Sequence, residues 1–509
     1  MSKASPLILL LMLAGCATGP AFVKPDTPAP ADWSQWRSGD SSLHPPLAGA
    51  SAASAAPAWP PSWWTMLRDP VLDELERRAV AASPDLRTAA LHFAQARVQR
   101  GVTAAQAGPQ VNGTAGATRQ RQSEVGASTR MLDVIGGAAG NRDQLVSLLS
   151  EPFNLYQAGF DASWELDLWG RVRHAIEAAD ADVATQAALL EQARMTLASD
   201  VARHYIELRT AQRQQDVLSR DIAAQQERLS LLQARANAGA LAELDLARQH
   251  GDLEASRAQI PPLLAQQAAS IGQIELLLGE HPGALNALLA KAAPEADVAD
   301  VADVAALPAL ALGLPSEVAQ RRPDIQAAEA KLRAATANIG VAKADLYPSI
   351  KLGGHFGFES TADSKFGSWG SRTWTVGPSL DLPIFDHGRR LRVVQLRELQ
   401  QQEAAVAYQR TVMAAWHEID DALNGYAAES EQLSSLKARD LNNRESLKLA
   451  LARYEGGTVD YTAVLDGQRG VLQSQRDVTA SEGRLLQRFA ALNKAIAAPP
   501  KGEAARTSP

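Results

Sequence analysis

The chain has 509 residues, a formal net charge of −7 and one cysteine. The acidic balance and the lack of a long basic run argue against a nucleic-acid partner. One cysteine leaves no intramolecular disulfide and no cysteine-based metal cluster.

The N-terminus reads as an export signal over residues 1–15. Lys3 precedes an apolar run that ends in Leu13-Ala14-Gly15-Cys16, too short for the roughly 20 residues of a membrane-spanning helix. Small residues directly before a cysteine resemble a bacterial lipobox, which implies a diacylated Cys16 as the mature N-terminus. Ala17, where an aspartate would retain a lipoprotein at the inner membrane, resembles outer-membrane sorting. No later apolar stretch reaches about 18 residues, so a membrane could be crossed only by strands. Residues 16–61 are rich in Pro, Ala and Ser, with Trp33, Trp36 and Trp59 scattered among them. Such a composition gives an extended tether, not a core.

Helices start near Pro70. Ser83-Pro84-Asp85 supplies an N-cap, a proline at N1 and an acid near the positive end of the helix dipole. Pro323-Asp324 repeats the signal. Four strands are expected at 110–121, 152–167, 348–359 and 372–384. Two-residue alternation is clear in Phe160-x-Ala162-x-Trp164-x-Leu166 and in Ile350 to Phe358, with polar residues between. A soluble sandwich would alternate in the same way. Four strands cannot close a barrel, which needs about eight or more; three chains would supply about twelve.

Two proline-free stretches, 170–236 and 389–454, carry apolar residues at three- and four-residue steps. Each predicts a rod of about 100 Å, rich in Ala and Gln as in laterally packed coiled coils. Shorter return helices follow at 242–279 and 461–497, and Pro261-Pro262 marks a break in the first.

The chain is written twice. Pro84 recurs as Pro323 and Pro109 as Pro348 at one interval; Gly170 recurs as Gly388 and Gly239 as Gly457 at a second, shorter one. Residues 62–279 are the first repeat and 315–497 the second, with 280–314 between them as a linker and 498–509 as a disordered tail.

No catalytic constellation is present. His417-Glu418-Ile419-Asp420 lacks the second histidine of a zinc-protease helix, and Gly353-Gly354-His355-Phe356-Gly357 lies in a strand. Neither cofactor nor metal is expected beyond a covalent lipid on Cys16.

With these features, the chain resembles the TolC-like outer membrane factors, in their NodT-like lipoprotein branch. The resemblance rests on Trp63-Trp64 before Asp69-Pro70, on GLPSEVAQRRPDIQAAEAKLRAA from Gly313, on VGPSLDLPIFDHGRR from Val376, and on the turns at Gly239 and Gly457. It implies an α+β membrane protein: a homotrimer with a long α-helical barrel plus a transmembrane β-barrel, four strands per chain. It also implies an outer-membrane exit duct that works with a periplasmic adaptor (membrane fusion protein) and an inner-membrane efflux pump.

In such a duct the two helical turns form the periplasmic tip. Gly239, Leu241, Gly457, Thr458 and Val459 are the implied adaptor contacts; simple helix capping is the bland alternative. Asp466 matches a carboxylate that lines the closed pore in related channels, with Asp460 and Asp245 as lesser candidates. Tyr454 and Tyr461 flank the same turn and are the implied closing tyrosines, or else plain packing. A type I protein-secretion duct and a soluble periplasmic coiled-coil scaffold remain as alternatives.

Overall fold

The computed structural model describes residues 18–27, 29–30, 36–43, 62–126, 142–238, 243–290 and 321–496. In chain order the main elements are α1 (Pro70–Ala82), α2 (Pro84–Ala104), β1 (Gln110–Gln120), α3 (Arg142–Ser150), β2 (Phe153–Leu166) and α4 (Arg171–Asn237). There follow α5 (Glu243–Arg257), α6 (Ile260–Leu278), the single turn α7 (Asn286–Leu289), α8 (Pro323–Ala344), β3 (Ser349–Ser360), β4 (Arg372–Asp381), α9 (Arg389–Glu455) and α10 (Tyr461–Ile496). No helix is long and apolar enough to cross a membrane among the described residues.

The chain divides into two compact units, each drawing on both halves of the sequence. One comprises Met1–Val23, Ala96–Val183 and Lys331–Ala404; the other comprises Lys24–Gln95, Ala184–Ala330 and Ala405–Pro509. The first unit holds the sheet, four antiparallel strands in the order β1-β2-β3-β4. Its register aligns Gly113, Phe160, Phe356 and Trp374 across one face, and Asn112, Asp161, His355 and Thr375 across the other. On the first face the large side chains are exposed: Phe160 by 62%, Trp374 by 65% and Val376 by 71%. An exposed apolar face and a polar reverse are what a barrel wall between lipid and a wet lumen requires. On the polar face His355 Nδ1 lies 2.8 Å from Asp161 Oδ1, and Gln157 donates to Glu359 at 2.8 Å.

The duplication is visible where the strands hand over to the long helices. Asp167 accepts from the N–H groups of Val172 (3.1 Å) and Arg173 (2.8 Å) at the start of α4. Asp386 does the same for Gly388 (3.1 Å) and Arg390 (3.2 Å) at α9. In both copies an aspartate ahead of the long helix satisfies N–H groups at its start, though from different offsets.

The second unit holds the main core. Trp63, Leu72, Leu75, Val201, Tyr205, Ile206, Ile274, Leu278 and Phe489 are buried together. Asp69 caps α1 through Val71 N–H (2.9 Å) and also accepts from the Tyr205 hydroxyl at 2.5 Å. The return segment of the first hairpin is broken between α5 and α6, just before Pro261-Pro262, where proline at N1/N2 suits a new helix start. The early part of the stretch read as a linker is packed into this core: Leu285 and Leu289 are fully buried. Leu285 N–H donates to Glu275 at 3.1 Å, and Gln212 donates to Leu289 O at 3.0 Å. Its remainder, like the tail, lies outside the described residues.

The tether also departs from a free leash. Arg37 forms a buried ion pair with Asp420 of α9 at 2.9 Å and donates to Asn424 at 2.7 Å. Trp36 meets Trp416 edge to face at 6.2 Å. The tether's composition carries little apolar bulk, so polar contacts hold it.

Candidate functional site

The site lies in the second unit, at the turn from α9 to α10. α9 ends as a Schellman motif: Gly457 N–H donates to Tyr454 O and Thr458 N–H to Arg453 O, both at 2.9 Å. Gly457 takes φ +70°, a conformation a side chain would strain. The Thr458 hydroxyl adds a bond to Arg453 O at 3.0 Å. Thr458 and Asp460 are exposed and Val459 is half-buried. The Asp460 carbonyl accepts from Ala463 N–H at 3.1 Å.

Tyr461 opens α10 and is buried against Leu232, Val464 and Leu465, with Leu246, Leu447 and Tyr454 around them. The Tyr454 and Tyr461 rings lie 5.2 Å apart. Arg235, at the end of α4, donates to the Tyr454 hydroxyl at 2.9 Å. That bond ties the first hairpin to the second. Burial raises the pKa of Tyr461, whose hydroxyl has no hydrogen-bond partner among the described residues.

Asp466 sits one turn along α10, with its side chain 75% exposed, and Arg469 Nη1 reaches it at 3.5 Å. Arg469 also pairs with Asp252 of α5, and that bond raises its pKa. One arginine therefore bridges an exposed carboxylate and the other hairpin's return helix. Asp245, in the first turn of α5, pairs only loosely with Arg248, at 3.6 Å.

Sequence reasoning placed Tyr454, Tyr461 and Asp466 in one region; the structure brings the two tyrosines together with Arg235, while Asp466 meets Arg469. It missed Arg469 and Asp252. The three-residue step from Asp466 to Arg469 was a signal for the first; nothing local marks Asp252, 217 positions away. Gly239, Leu241 and Cys16 lie outside the described residues. Among the described residues no group of acids, histidines or cysteines is placed to hold a metal.

A family model for "Outer membrane efflux protein" matches residues 75–280 and 314–498. The chain belongs to that family. It is 32% identical to the outer membrane protein OprJ of Pseudomonas aeruginosa over 467 residues, 91% of this chain and 89% of OprJ. It is 27% identical to the probable outer membrane lipoprotein SilC of Salmonella typhimurium, over 92% of each chain. The solved outer-membrane channel OprN superposes with a TM-score of 0.79 at 29% identity, covering 95% of this chain and 99% of OprN. The chain is an outer-membrane efflux protein with the TolC-like architecture of helical barrel and β-barrel.

Proposed function

We propose that three copies of this chain form the exit duct of a tripartite efflux assembly, receiving cargo from an inner-membrane pump through a periplasmic adaptor. The observation that carries the trimer is the sheet. Four strands with two open edges, apolar on one face and polar on the other, cannot close alone; three sets give about twelve, enough for a lipid-embedded barrel. The duct conducts rather than catalyses. A lipid on Cys16 gives it a second hold on the membrane.

The gate in this reading is the α9–α10 turn. Arg235 to Tyr454, and Arg469 to Asp252, each hold one hairpin against the other. Asp466, exposed and repeated by the threefold axis, forms an anionic ring that screens permeants. Tyr461 and Asp460 frame the turn. Gly457, Thr458 and Val459, with Gly239 and Leu241 of the first turn, present the crown that an adaptor meets.

Single-channel recording in planar bilayers tests the gate. Arg469→Ala, which frees the two return helices, is expected to raise conductance several-fold. Asp466→Ala is expected to reduce cation preference. Conductance and selectivity unchanged in both variants would remove the gate from this turn.

A further inference from the structure

We propose that Asp161 and His355, in the middle of the sheet, form a selectivity band of the duct, in which protonation of the imidazole offsets the carboxylate and lowers the preference for cations. The proposal rests on the reading that three copies close a barrel with this face to the lumen. It gives the barrel a filter of its own, apart from the tip.

The band is one connected row across all four strands. Asp161 of β2 and His355 of β3 are cross-strand partners, with His355 Nδ1 2.8 Å from Asp161 Oδ1. The second carboxylate oxygen accepts from the Thr114 hydroxyl of β1 at 3.4 Å. On the far side, His355 Nε2 lies 3.4 Å from the Thr373 hydroxyl oxygen of β4. β2 and β3 are inner strands with a neighbour on each side in the same chain. The pair is therefore complete in one copy, whatever meets the β1 and β4 edges. Its side chains are 51% and 36% exposed, open to whatever passes over this face.

Two glycines make the floor under the imidazole. A Cβ on Gly159 would sit 2.9 Å from His355 Cε1, and one on Gly357 would sit 3.0 Å from His355 Nε2. The ring thus lies along the sheet, over the next row, instead of standing away from it. What it presents to a permeant is its charge more than its bulk.

That charge changes in the working range, because an imidazole gains its proton between about pH 8 and pH 5. With the ring neutral, the row carries the negative charge of Asp161; with the ring protonated, the two offset each other. The flanking strands add no charge, since β1 and β4 present Asn112, Thr114, Thr373 and Thr375 here. The next charged groups on this face of β2 and β3 are Glu165, Lys351 and Glu359. Each lies four residues along its strand from the pair, about 13 Å away. Glu165 is paired with Arg171, and Glu359 accepts from Gln157. A wall charge is felt over about 8 Å at physiological ionic strength and about 30 Å at 10 mM salt. The band therefore acts on charged cargo near the wall, and across a wide lumen only at low salt.

Reversal potentials of the full chain in planar bilayers, under a KCl gradient at low salt, test the band at about pH 8 and about pH 5. Every channel carries Asp466→Ala, so that the tip's carboxylate does not contribute. His355→Gln holds the position neutral, and His355→Lys holds it charged. The channel with His355 intact is expected to match His355→Gln at the higher pH and His355→Lys at the lower. Its cation preference should fall several-fold between the two, and the difference should vanish at about 1 M salt. A pH response in His355→Gln as large as with His355 intact overturns the band, and so does an intact channel with no response. The barrel reading is scored separately. Thr375→Cys, on the same row, is expected to lose current to a charged, membrane-impermeant methanethiosulfonate that leaves the Thr375 channel unchanged. Conducting Thr375→Cys channels that ignore the reagent overturn the lumen assignment, and the band with it. No conductance in any channel overturns the duct itself.

Discussion

Glu76 is buried in α1 with neither carboxylate oxygen hydrogen-bonded among the described residues. Burial pushes its pKa well above the usual carboxylate range, and the charge of Asp73 adds to the effect. The folded state therefore holds this proton more tightly than the unfolded chain. Its contribution to stability is largest below the ordinary glutamate value of about 4.3 and is lost as pH rises from there to the folded value. Glu76→Gln removes the charge but keeps the shape. The variant is expected to be more stable than the parent at pH 8, because it no longer has to bury a charge, with the gain shrinking towards pH 4. Thermal melts of the detergent-extracted protein at the two pH values check this; an equal gain at both removes the charge as the cause. The motif His417-Glu418-Ile419-Asp420 shows what a sequence can and cannot disclose at this scale. Its missing second histidine was legible. Its actual work was not, because Glu418 pairs with Arg322 at 2.5 Å and Asp420 with Arg37 at 2.9 Å, partners 96 and 383 positions away.

The docked piece of the tether, extended apart from one 3-10 turn at Ser41–Leu43, is held by polar contacts. Arg37 and Asp420 side chains are only 3% and 9% exposed. Ser38 N–H donates to Asp420 at 3.0 Å, and Asn424 donates back to Ser38 O at 3.1 Å. Arg37→Ala leaves the Asp420 charge buried with one partner fewer, a loss on the order of 3–5 kcal/mol. The expected outcome is release of the segment, read as faster protease cleavage ahead of Trp63 with the body of the protein intact. Cleavage at the parent rate would show that the ion pair does not hold the segment. The long helices were legible because the absence of proline and the 3.6-residue period are local signals. The strap was not, since nothing in a Pro/Ala/Ser composition states which surface it will meet. The tip was half legible for the same reason. Gly457 announces its turn, but the Arg235–Tyr454 and Arg469–Asp252 bonds join residues that only the folded hairpins bring together.

At the scale of the whole molecule, the four-stranded sheet decides what the chain can be. Its β1 and β4 edges are not paired with another strand of the sheet, and lipid cannot satisfy open edges; in the proposed trimer neighbouring copies supply the pairing. The assignment of faces then makes a sharp test. Phe356 and Thr375 belong to neighbouring strands but to opposite faces of the sheet. In the proposed trimeric barrel Phe356 faces lipid and Thr375 the wet lumen. An arginine at the lipid face near mid-membrane costs about 2–4 kcal/mol per chain, and three chains bear it together. Phe356→Arg is therefore expected to abolish most of the detergent-extractable, heat-modifiable trimer in the outer membrane. Thr375→Arg, placed among Asp161 and His355, is expected to assemble at the parent level and to alter only conductance. Equal loss of trimer in both variants would mean that the sheet buries its two faces alike, as in a soluble sandwich, and would reverse the lumen and lipid assignment on which the duct depends.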